Sequence, residues 1–539
     1  MDIVKKAILV LAGAGLVLGL ASDPAGDLPV AAAGAMPPAV SDSRRGAAAR
    51  PNIILILADD LGYADVSAYP GGRFPTPNIE RIAQDGVLFT DGYATAPVCG
   101  PSRAGLLTGR YQQRFGFEYN NGPARRDADQ GLGLATSEVT LARLLQRAGY
   151  YTGMIGKWHL GSGPQFYPMN RGFDEFVGFL PGETSYIDPR LPDVHMSYGP
   201  IGDRLIREAL EHSAADRRLD TSGDADYGNK AARAARYFSR GPRNEIIEGA
   251  QRQVVHNDHE YLTDYFGDRA AGFIRAHGKS GRPYFLYLAF NAPHAPHMVT
   301  AKYYDRFPQV KDHQERVYAA MIAALDANVG KVLAAVRASG QADRTLIVFA
   351  SDNGCAAYFP GLCSCWPLRG GKLSFYEGGI RVPFMMSWPG HIPRGVAYDR
   401  MVSLLDVVPT AVAAAGGTLP AGRVYDGVDL TPYLTGHKTG DPHGMLAWRA
   451  LPLEAIREGD WKLWESSGGE NDRYGKYQLL FDLSNDLNET HDLAGSDSQE
   501  VRHLAEQLGH WSGEMIAPKW PTKHPATYGV CGRKFTLPI

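Results

Sequence analysis

The sequence predicts an α/β protein whose core is a large mixed, mostly parallel sheet flanked by helices. Short apolar runs of strand length alternate along the chain with helical patterns, which is typical of βαβ units. Several runs are apolar without a break, as expected for strands that are buried on both faces. After residue 417 the pattern changes to alternating strands rich in aromatic residues, followed by one helix. We therefore expect a smaller C-terminal antiparallel sheet with a helix packed on it.

The apolar runs predict strands at residues 52–58, 87–93, 150–155, 284–290, 345–350 and 384–388. Helical periodicity predicts helices at residues 76–86, 140–149, 261–276, 316–338 and 402–416. Thr263 is the expected N-cap of the third helix, and Pro409 is expected to kink the last. In the C-terminal part we expect strands at residues 455–464 and 477–483 and a helix at residues 498–515.

Length and composition limit the possible classes of protein. The 539 residues are enough for a large domain with a smaller partner. We expect a signal peptide and the start of a leader at residues 1–33, a large domain at residues 50–416 and a smaller α+β subdomain at residues 417–539. A net charge of −3, with no basic run, gives no support for a nucleic-acid partner.

The N-terminus has the pattern of a secretory signal peptide. Lys5 and Lys6 precede an apolar run at residues 7–21, and small residues follow near both Ser22 and Ala32, so the cleavage position stays open. The run is shorter than the roughly twenty residues of a membrane span, so we expect no stable span, with an uncleaved anchor as the alternative. The pattern predicts export to the periplasm or the medium, and its alanine content favours a bacterial source.

One candidate site lies in the stretch 93–110, YATAPVCGPSRAGLLTGR. Pro97 and Pro101 favour an extended, non-helical backbone, and Ser102 is the expected N-cap of a helix that begins near residue 104. Cys99 would then lie on a turn at a helix N-terminus, where backbone N–H groups favour an anion, and Arg103 adds a cation. A buried structural cysteine is the alternative interpretation.

Polar side chains follow the predicted strands at their carboxyl ends, which is where ligands bind in open α/β sheets. These residues are Asp59, Asp60, Lys157, His159, His294, Asp352 and Asn353. Taken singly, the Asp and Asn residues are explained by turn chemistry, and the two histidines by buried core positions. Lys372 is explained by an exposed loop. Together, the carboxylates and the amide supply the oxygen ligands that calcium prefers, with magnesium as the alternative. The basic side chains supply the charge that a tetrahedral anion needs.

The pentapeptide CGPSR at Cys99 resembles the C-x-P-S-R signature of type I sulfatases, in the alkaline phosphatase superfamily. In that family the cysteine is oxidised to formylglycine. Further motifs match in the same order: G-K-W-H at Lys157, A-P-H at His294 and G-K-x-x-x-Y-E-G-G at Lys372. The resemblance extends over residues 51–493 and implies an alkaline-phosphatase-like fold.

The resemblance implies a ligand set and a catalytic set. It implies one calcium ion held by Asp59, Asp60, Asp352, Asn353 and the converted Cys99. The implied catalytic residues are Cys99, Arg103, Lys157, His159, His294 and Lys372. In the family a hydroxyl of the hydrated aldehyde attacks sulfur, Arg103, Lys157 and calcium stabilise the charge, and Lys372 grips the sulfate. His294 protonates the leaving oxygen, and His159 is the base that restores the aldehyde.

The expected function is therefore an exported hydrolase of aryl or carbohydrate sulfate esters. Its implied partners are a small-molecule or glycan sulfate ester and a formylglycine-generating or equivalent maturation enzyme. One alternative is a phosphonate or phosphate monoester hydrolase of the same superfamily, and another is a non-catalytic binder of sulfated glycans. Some family members have a serine or amide after the glycine that Gly178 resembles, and its position within residues 179–185 stays open. His297 is a weaker candidate for contact with substrate.

Two further features have alternative interpretations. The pattern weakens at residues 182–254, which we expect to be an insertion that helps to select the substrate or a solvated decoration without a role. Cys355, Cys363, Cys365 and Cys531 can form two disulfides in three ways, and zinc is the rival at the C-x-C pair. With no histidine nearby, we favour disulfides.

Overall fold

The structure is a computed structural model of the chain. It describes residues 50–122, 124–197, 245–256, 259–357, 359, 361–468, 476–521, 526–530 and 533–537. The predicted signal peptide and leader lie outside the described residues, as do Cys531 and the middle of the predicted insertion. The division into a large domain at residues 50–416 and a smaller one at residues 417–539 stays a prediction.

The described strands are β1 (Asn52–Ala58), β2 (Val87–Phe89), β3 (Gly92–Tyr93), β4 (Tyr151–Lys157), β5 (Glu175–Phe179), β6 (Val194–Ser197), β7 (Glu245–Glu248), β8 (Gln253–His256), β9 (Tyr284–Ala289), β10 (His297–Thr300), β11 (Thr345–Ser351), β12 (Phe384–Ser387), β13 (Val396–Tyr398), β14 (Val402–Ser403), β15 (Met445–Ala450), β16 (Leu453–Glu458), β17 (Trp461–Ser466), β18 (Tyr477–Asp482), β19 (Ala526–Val530) and β20 (Arg533–Leu537). The described helices are α1 (Pro77–Gln84), α2 (Cys99–Thr108), α3 (Ala124–Gln130), α4 (Leu141–Arg147), α5 (Leu262–His277), α6 (Ala301–Tyr304), α7 (His313–Ala338), α8 (Glu377–Ile380), α9 (Val407–Ala414), α10 (Thr431–Leu434) and α11 (Ser498–Gly513).

The central sheet has the strand order β13-β2-β12-β11-β1-β9-β4-β5-β7-β8. Its middle strands, from β11 to β5, are parallel, and antiparallel strands join them on both sides at β12 and β7. The predicted large, mostly parallel mixed sheet is therefore confirmed. The described ends of the predicted insertion contribute β7 and β8 to one edge of the sheet and β6 to a small antiparallel pair with β10.

Helices cover both faces of the sheet, which explains why β1 is apolar at every position. Ile53, Leu55 and Leu57 belong to one buried cluster, and Ile54 and Ile56 belong to the other, because successive side chains point to opposite faces. Helix α9 packs against α2 and α4, and α7 packs against α1 and α5. By length and composition α7 is apolar enough to cross a bilayer, but 78% of its apolar window is buried, as in the core helix of a globular protein.

The C-terminal part contains an antiparallel sheet in the order β15-β16-β17-β18, with α11 packed on β15, β16 and β17. Ile456, Leu463 and Leu504 lie in the cluster between the sheet and the helix. The expected sheet-plus-helix arrangement is confirmed. Residues 455–464 form a hairpin instead of one strand, because Gly459 adopts a φ of 54° that allows the chain to reverse.

Two predicted helix starts are wrong for one physical reason. Helix α2 begins at Cys99, so Pro101 lies in its first turn and Ser102 is not the N-cap. Helix α9 begins at Val407, so Pro409 also lies in the first turn and does not kink the helix. The first N–H groups of a helix have no partner within it, and proline is therefore tolerated there. In a separate case, α5 begins at Leu262, so Thr263 is its second residue and not its N-cap.

Three of the four cysteines expected in disulfides are described, and two of them form a disulfide. Cys355 is bonded to Cys363, which agrees with a disulfide and not with zinc at the C-x-C pair. Cys365 is a free, buried thiol whose Sγ lies 3.4 Å from Sγ of Cys355. The remaining partner in the expected pair of disulfides would be Cys531, which lies outside the described residues, so the second disulfide stays a prediction.

Candidate active site

Two neighbouring parallel strands end at the same edge of the sheet and deliver acidic side chains there. Asp59 and Asp60 follow β1, and Asp352 follows β11, which pairs with β1 in parallel register. The backbone N–H of Asp60 donates to Oδ1 of Asp352 at 3.3 Å. Asp60 has a φ of 62°, an unusual conformation for a residue other than glycine, and it is held there among buried neighbours. The three carboxyl groups thus converge without exposure to solvent.

Cys99 lies at the N-terminus of α2, directly beside these acids. Its Sγ is 3.4 Å from Oδ1 of Asp59, 3.8 Å from Oδ1 of Asp60 and 3.2 Å from Nζ of Lys372. Burial raises the pKa of the Cys99 thiol, although Lys157 and Lys372 act in the opposite direction. The thiol is therefore surrounded by charged groups but is itself protonated. A purely apolar structural role does not account for this environment.

Each acid of the cluster has a basic partner. Nζ of Lys157 lies 2.5 Å from Oδ2 of Asp59, and Nε of Arg103 donates to Oδ2 of Asp352 at 2.8 Å. Nζ of Lys372 lies 2.8 Å from the carboxylate of Asp60. Arg103 also donates from Nη1 to the carbonyl oxygen of Lys157 at 3.0 Å, which ties α2 to the end of β4. These side chains are almost completely buried, so the pairs are weakly screened.

The pairing is reflected in the carboxyl pKa values. Burial alone raises the pKa of Asp59, but Lys157, His294 and Arg103 override it, so the pKa lies far below its usual range. The pKa of Asp60 is lowered in the same way, mainly through Lys372. Burial and the negative charge of Asp59 raise the pKa of Asp352 to about 7. Two of the acids are therefore firmly ionised, and the third resists ionisation beside them.

The two predicted catalytic histidines have different surroundings. Nε2 of His294 lies 3.6 Å from Oδ2 of Asp60, and Nδ1 contacts the carbonyl oxygen of Ala295 at 2.5 Å. His159 has a φ of 59°, and its buried Nδ1 has no hydrogen-bond partner in the part of the chain that the structure describes. Burial and the charges of Lys157 and Arg103 lower the pKa of His159 well below its usual value. His159 is therefore a neutral base.

His297, the weaker candidate, is a buried histidine that packs edge-on against Tyr318 and Phe359. Its pKa is lowered to about 3, first by burial and then by His294. The charge of Asp60 favours the protonated form of His297, but burial and His294 outweigh it. Its surroundings are those of a neutral core residue.

The acidic cluster fits a hard metal ion. Ligand atoms of Asp59, Asp60, Cys99 and His294 all lie within 4.8 Å of one another. Asn353 donates from Nδ2 to Oδ1 of Asp60 at 2.8 Å, while its buried Oδ1 has no hydrogen-bond partner among the described residues. A buried acceptor without a donor is costly unless it has another partner. Carboxylate and amide oxygens are the ligands that calcium and magnesium take.

Two supporting residues could not be placed from the sequence. Ser185, the only serine of residues 179–185, is completely buried, and its hydroxyl has no hydrogen-bond partner within the described ranges; its assignment to the expected position stays a prediction. Oδ1 of Asn120 accepts from the N–H of Gly100 at 3.0 Å and so holds the first turn of α2 beside Cys99. No local pattern marks Asn120, because its partner Gly100 lies 20 residues earlier in the chain.

The mixed sheet with this cluster at its edge defines an enzyme of alkaline-phosphatase-like fold. The family model for sulfatases matches residues 51–417. The chain is 31% identical to human N-acetylgalactosamine-6-sulfatase over 524 residues, which cover 90% of each chain. It is 32% identical to arylsulfatase G from Rattus norvegicus over 519 residues, covering 90% of this chain and 91% of that one. The chain therefore belongs to the sulfatase family and is a sulfuric ester hydrolase.

Solved structures agree with this assignment. The crystal structure of Ps i-CgsB in complex with k-i-k-neocarrahexaose superposes with a TM-score of 0.71 at 32% identity, covering 87% of this chain and 94% of that chain. The phosphonate monoester hydrolase of Agrobacterium radiobacter superposes with a TM-score of 0.55 at 22% identity, covering 87% and 96%. The second similarity concerns the fold alone.

Proposed function

We propose that the protein is an exported sulfatase for aryl or carbohydrate sulfate esters that uses a formylglycine made from Cys99 and one calcium ion. The observation that carries the proposal is the position of Cys99. Its Sγ lies within 3.4 Å of both an acid, Asp59, and a base, Lys372, at the N-terminus of α2. A nucleophile at this point would have an anion-binding helix end on one side and cationic groups on the other.

The proposed calcium ligands are Asp59, Asp60, Asp352, Asn353 and the converted residue 99. The free Oδ1 of Asn353 and the converging carboxylates support this set. The acids Asp59, Asp60 and Asp352 are matched in number by Arg103, Lys157 and Lys372, so a divalent ion would leave the site positively charged. A net positive site suits a sulfate ester anion. Magnesium remains the alternative ion.

When present, formylglycine supplies a hydroxyl nucleophile in its hydrated form, and calcium supplies positive charge beside it. Lys157 and Arg103 hold Asp59 and Asp352 in place and add positive charge to the site. Lys372, whose Nζ lies 3.2 Å from residue 99, donates to a sulfate oxygen. These charges are fixed before the substrate binds, so little reorganisation is needed during the reaction.

The histidines move the protons. The carbonyl oxygen of Ala295 can only accept, so Nδ1 of His294 carries a proton and Nε2 faces Asp60 and the site. Burial and Lys372 lower the pKa of His294, while Asp60 and Asp59 favour its protonated form. To act as the acid, His294 must therefore bind a second proton at Nε2, which it would then give to the departing alcohol oxygen. His159, neutral and beside Lys157, takes a proton from residue 99 in the second step.

Mass spectrometry of the peptide that contains residue 99 tests the modification. We expect replacement of the CH₂SH side chain by CHO in protein from its native host or from cells that contain a maturation enzyme. Activity on 4-nitrophenyl sulfate should rise with the converted fraction. A free thiol in fully active protein would overturn the proposal, and a free thiol in protein that only binds sulfated glycans would support the binder.

The substrate class is tested with matched esters. 4-Nitrophenyl sulfate and 4-nitrophenyl phosphate differ only in the transferred group, and we expect the sulfate ester to have the higher turnover rate. Faster turnover of the phosphate would favour a phosphorus ester hydrolase. The names of relatives, such as N-acetylgalactosamine-6-sulfatase, support a panel of sulfated mono- and oligosaccharides as the next screen. Fractionation of native cells tests export.

A further inference from the structure

A second group of charged residues is buried outside the active site and contains no proposed catalytic residue. We refer to it as the buried ionic cluster. Its members are Asp91, Glu377, Arg381, Arg457, Lys462 and Glu489. None is more than 8% exposed, and acids and bases are equal in number. Burying so many charges is costly, so their geometry matters.

Glu377 is the centre of the buried ionic cluster and joins two segments that carry active-site residues. Glu377 lies five positions after Lys372, in the same G-K-x-x-x-Y-E-G-G motif. Its Oε2 accepts from the hydroxyl of Tyr93 at 2.6 Å, and Tyr93 begins the segment that leads to Cys99. Arg381, on the same turn, donates from Nε to the carbonyl oxygen of Thr90 at 2.6 Å. Glu377 therefore links the Cys99 segment to the Lys372 segment.

The C-terminal sheet holds Glu377 from the other side. Nζ of Lys462, on β17, lies 2.7 Å from Oε1 of Glu377 and 3.0 Å from Oε1 of Glu489. Oε2 of Glu489 accepts from the backbone N–H of Glu377 at 2.6 Å. Lys462 and Glu489 thus fix both the backbone and the side chain of Glu377. All of these residues are completely buried.

We propose that Lys462, together with Glu489, is a positioning residue for Lys372. By fixing Glu377, the pair determines where the Lys372 ammonium lies relative to Cys99 and Asp60. The inference rests on the proposed role of Lys372 in gripping sulfate. The same contacts would also serve as a scaffold that contributes only stability, and the experiment must separate the two.

A double-mutant cycle between Lys462 and Lys372 makes this separation. Lys462→Met, Lys372→Met and the double variant are assayed with 4-nitrophenyl sulfate after mass spectrometry has shown equal formylglycine content. If Lys462 acts through Lys372, Lys462→Met lowers kcat/KM about tenfold in the wild-type background and less than about twofold in the Lys372→Met background. An equal loss in both backgrounds would overturn the proposal.

Two further variants complete the design. Glu489→Gln keeps an oxygen acceptor for the backbone N–H of Glu377 but weakens the pairing with Lys462, so it should show the same background dependence with a smaller amplitude, even if Lys462→Met folds poorly. Asp264→Asn is the matched control, because Asp264 is a buried acid paired with Lys302 at 2.9 Å, away from the Lys372 segment. It should lower stability and leave kcat/KM unchanged. Wild-type activity in Lys372→Met would instead contradict the proposed function.

Discussion

The ammonium of Lys157 lies 2.5 Å from the carboxylate of Asp59, and neither side chain has any exposure to solvent. Removal of one member of such a pair leaves the other as an uncompensated buried charge. The pair therefore affects the stability of the fold as well as the active site.

We predict that Lys157→Met lowers the free energy of unfolding by about 3 kcal/mol, because Asp59 keeps its charge and loses its nearest partner, while Arg103 remains at the longer distance of 3.6 Å. Asp59→Asn combined with Lys157→Met should recover at least half of the loss, since the charge is then gone. Urea unfolding followed by circular dichroism, with chelator present, measures both. Equal stability of the single variant and the wild type would contradict the prediction.

Metal removal should lower both stability and activity. A ligand that binds only the folded state stabilises it by mass action, by about 2.7 kcal/mol at a free concentration one hundred times Kd. We therefore expect a calcium chelator to lower the midpoint of thermal unfolding and to abolish turnover of 4-nitrophenyl sulfate, and added calcium to restore both. Asp352→Asn, which alters a proposed ligand, should show a smaller response. Restoration by magnesium but not by calcium would identify magnesium as the ion.

Much of the site was predictable because its residues follow apolar strands directly. Asp59 follows β1 and Asp352 follows β11, and both strands are recognisable from their sequence alone. Parallel neighbours end at the same edge, so convergence of the acids follows from the fold class. The local sequence of each strand, combined with one rule of sheet topology, was therefore enough to predict that these acids lie together.

The residues that escaped prediction act over long sequence distances. Lys462 reaches Glu377 across 85 positions, and neither has a local pattern that reveals the other. The wrong helix starts have a different cause, because a proline fits the first turn of a helix as well as it ends one. Pro101 and Pro409 are both compatible with the helices that contain them.

The role of His294 as a proton donor predicts a dependence on the leaving group. Good leaving groups need little protonation, and alkyl alcohols need much. We expect His294→Gln to lower kcat by about 10²-fold or more for an alkyl or sugar sulfate, and by clearly less for 4-nitrophenyl sulfate. His297→Gln is the matched control, since His297 is buried nearby and has no proposed role. The same loss on both substrates would argue against proton donation by His294.

Glu489 predicts a pH dependence of stability that is independent of the active site. Burial raises its pKa to about 7 from 4.5, although Lys462 acts in the opposite direction. Between these values the folded protein keeps a proton that the unfolded chain has released. Stability therefore falls as pH rises through this window, by at most about 1.4 kcal/mol per pH unit.

Glu489→Gln removes this titration. The free energy of unfolding of the wild type, measured relative to Glu489→Gln by urea unfolding at several pH values, should decrease between pH 4.5 and 7. Glu465→Gln, on the same sheet and partly exposed, is the control for the loss of a carboxylate. A wild type that gains stability relative to Glu489→Gln across this window would show that the carboxyl is instead held ionised.

The position of the His159 ring depends on the absence of a side chain at residue 182. A Cβ on Gly182 would lie 2.6 Å from Nε2 of His159, closer than any normal contact, so the imidazole would have to move. We expect Gly182→Ala to lower kcat on 4-nitrophenyl sulfate by about 10²-fold, the scale of general base catalysis. Its effect on the thermal midpoint should be small, because Gly182 does not have the positive φ that would strain alanine. Gly495→Ala, whose Cβ would meet open space, should retain full activity. Full activity in Gly182→Ala would show that the second step tolerates displacement of His159, and would remove that residue from the role of base.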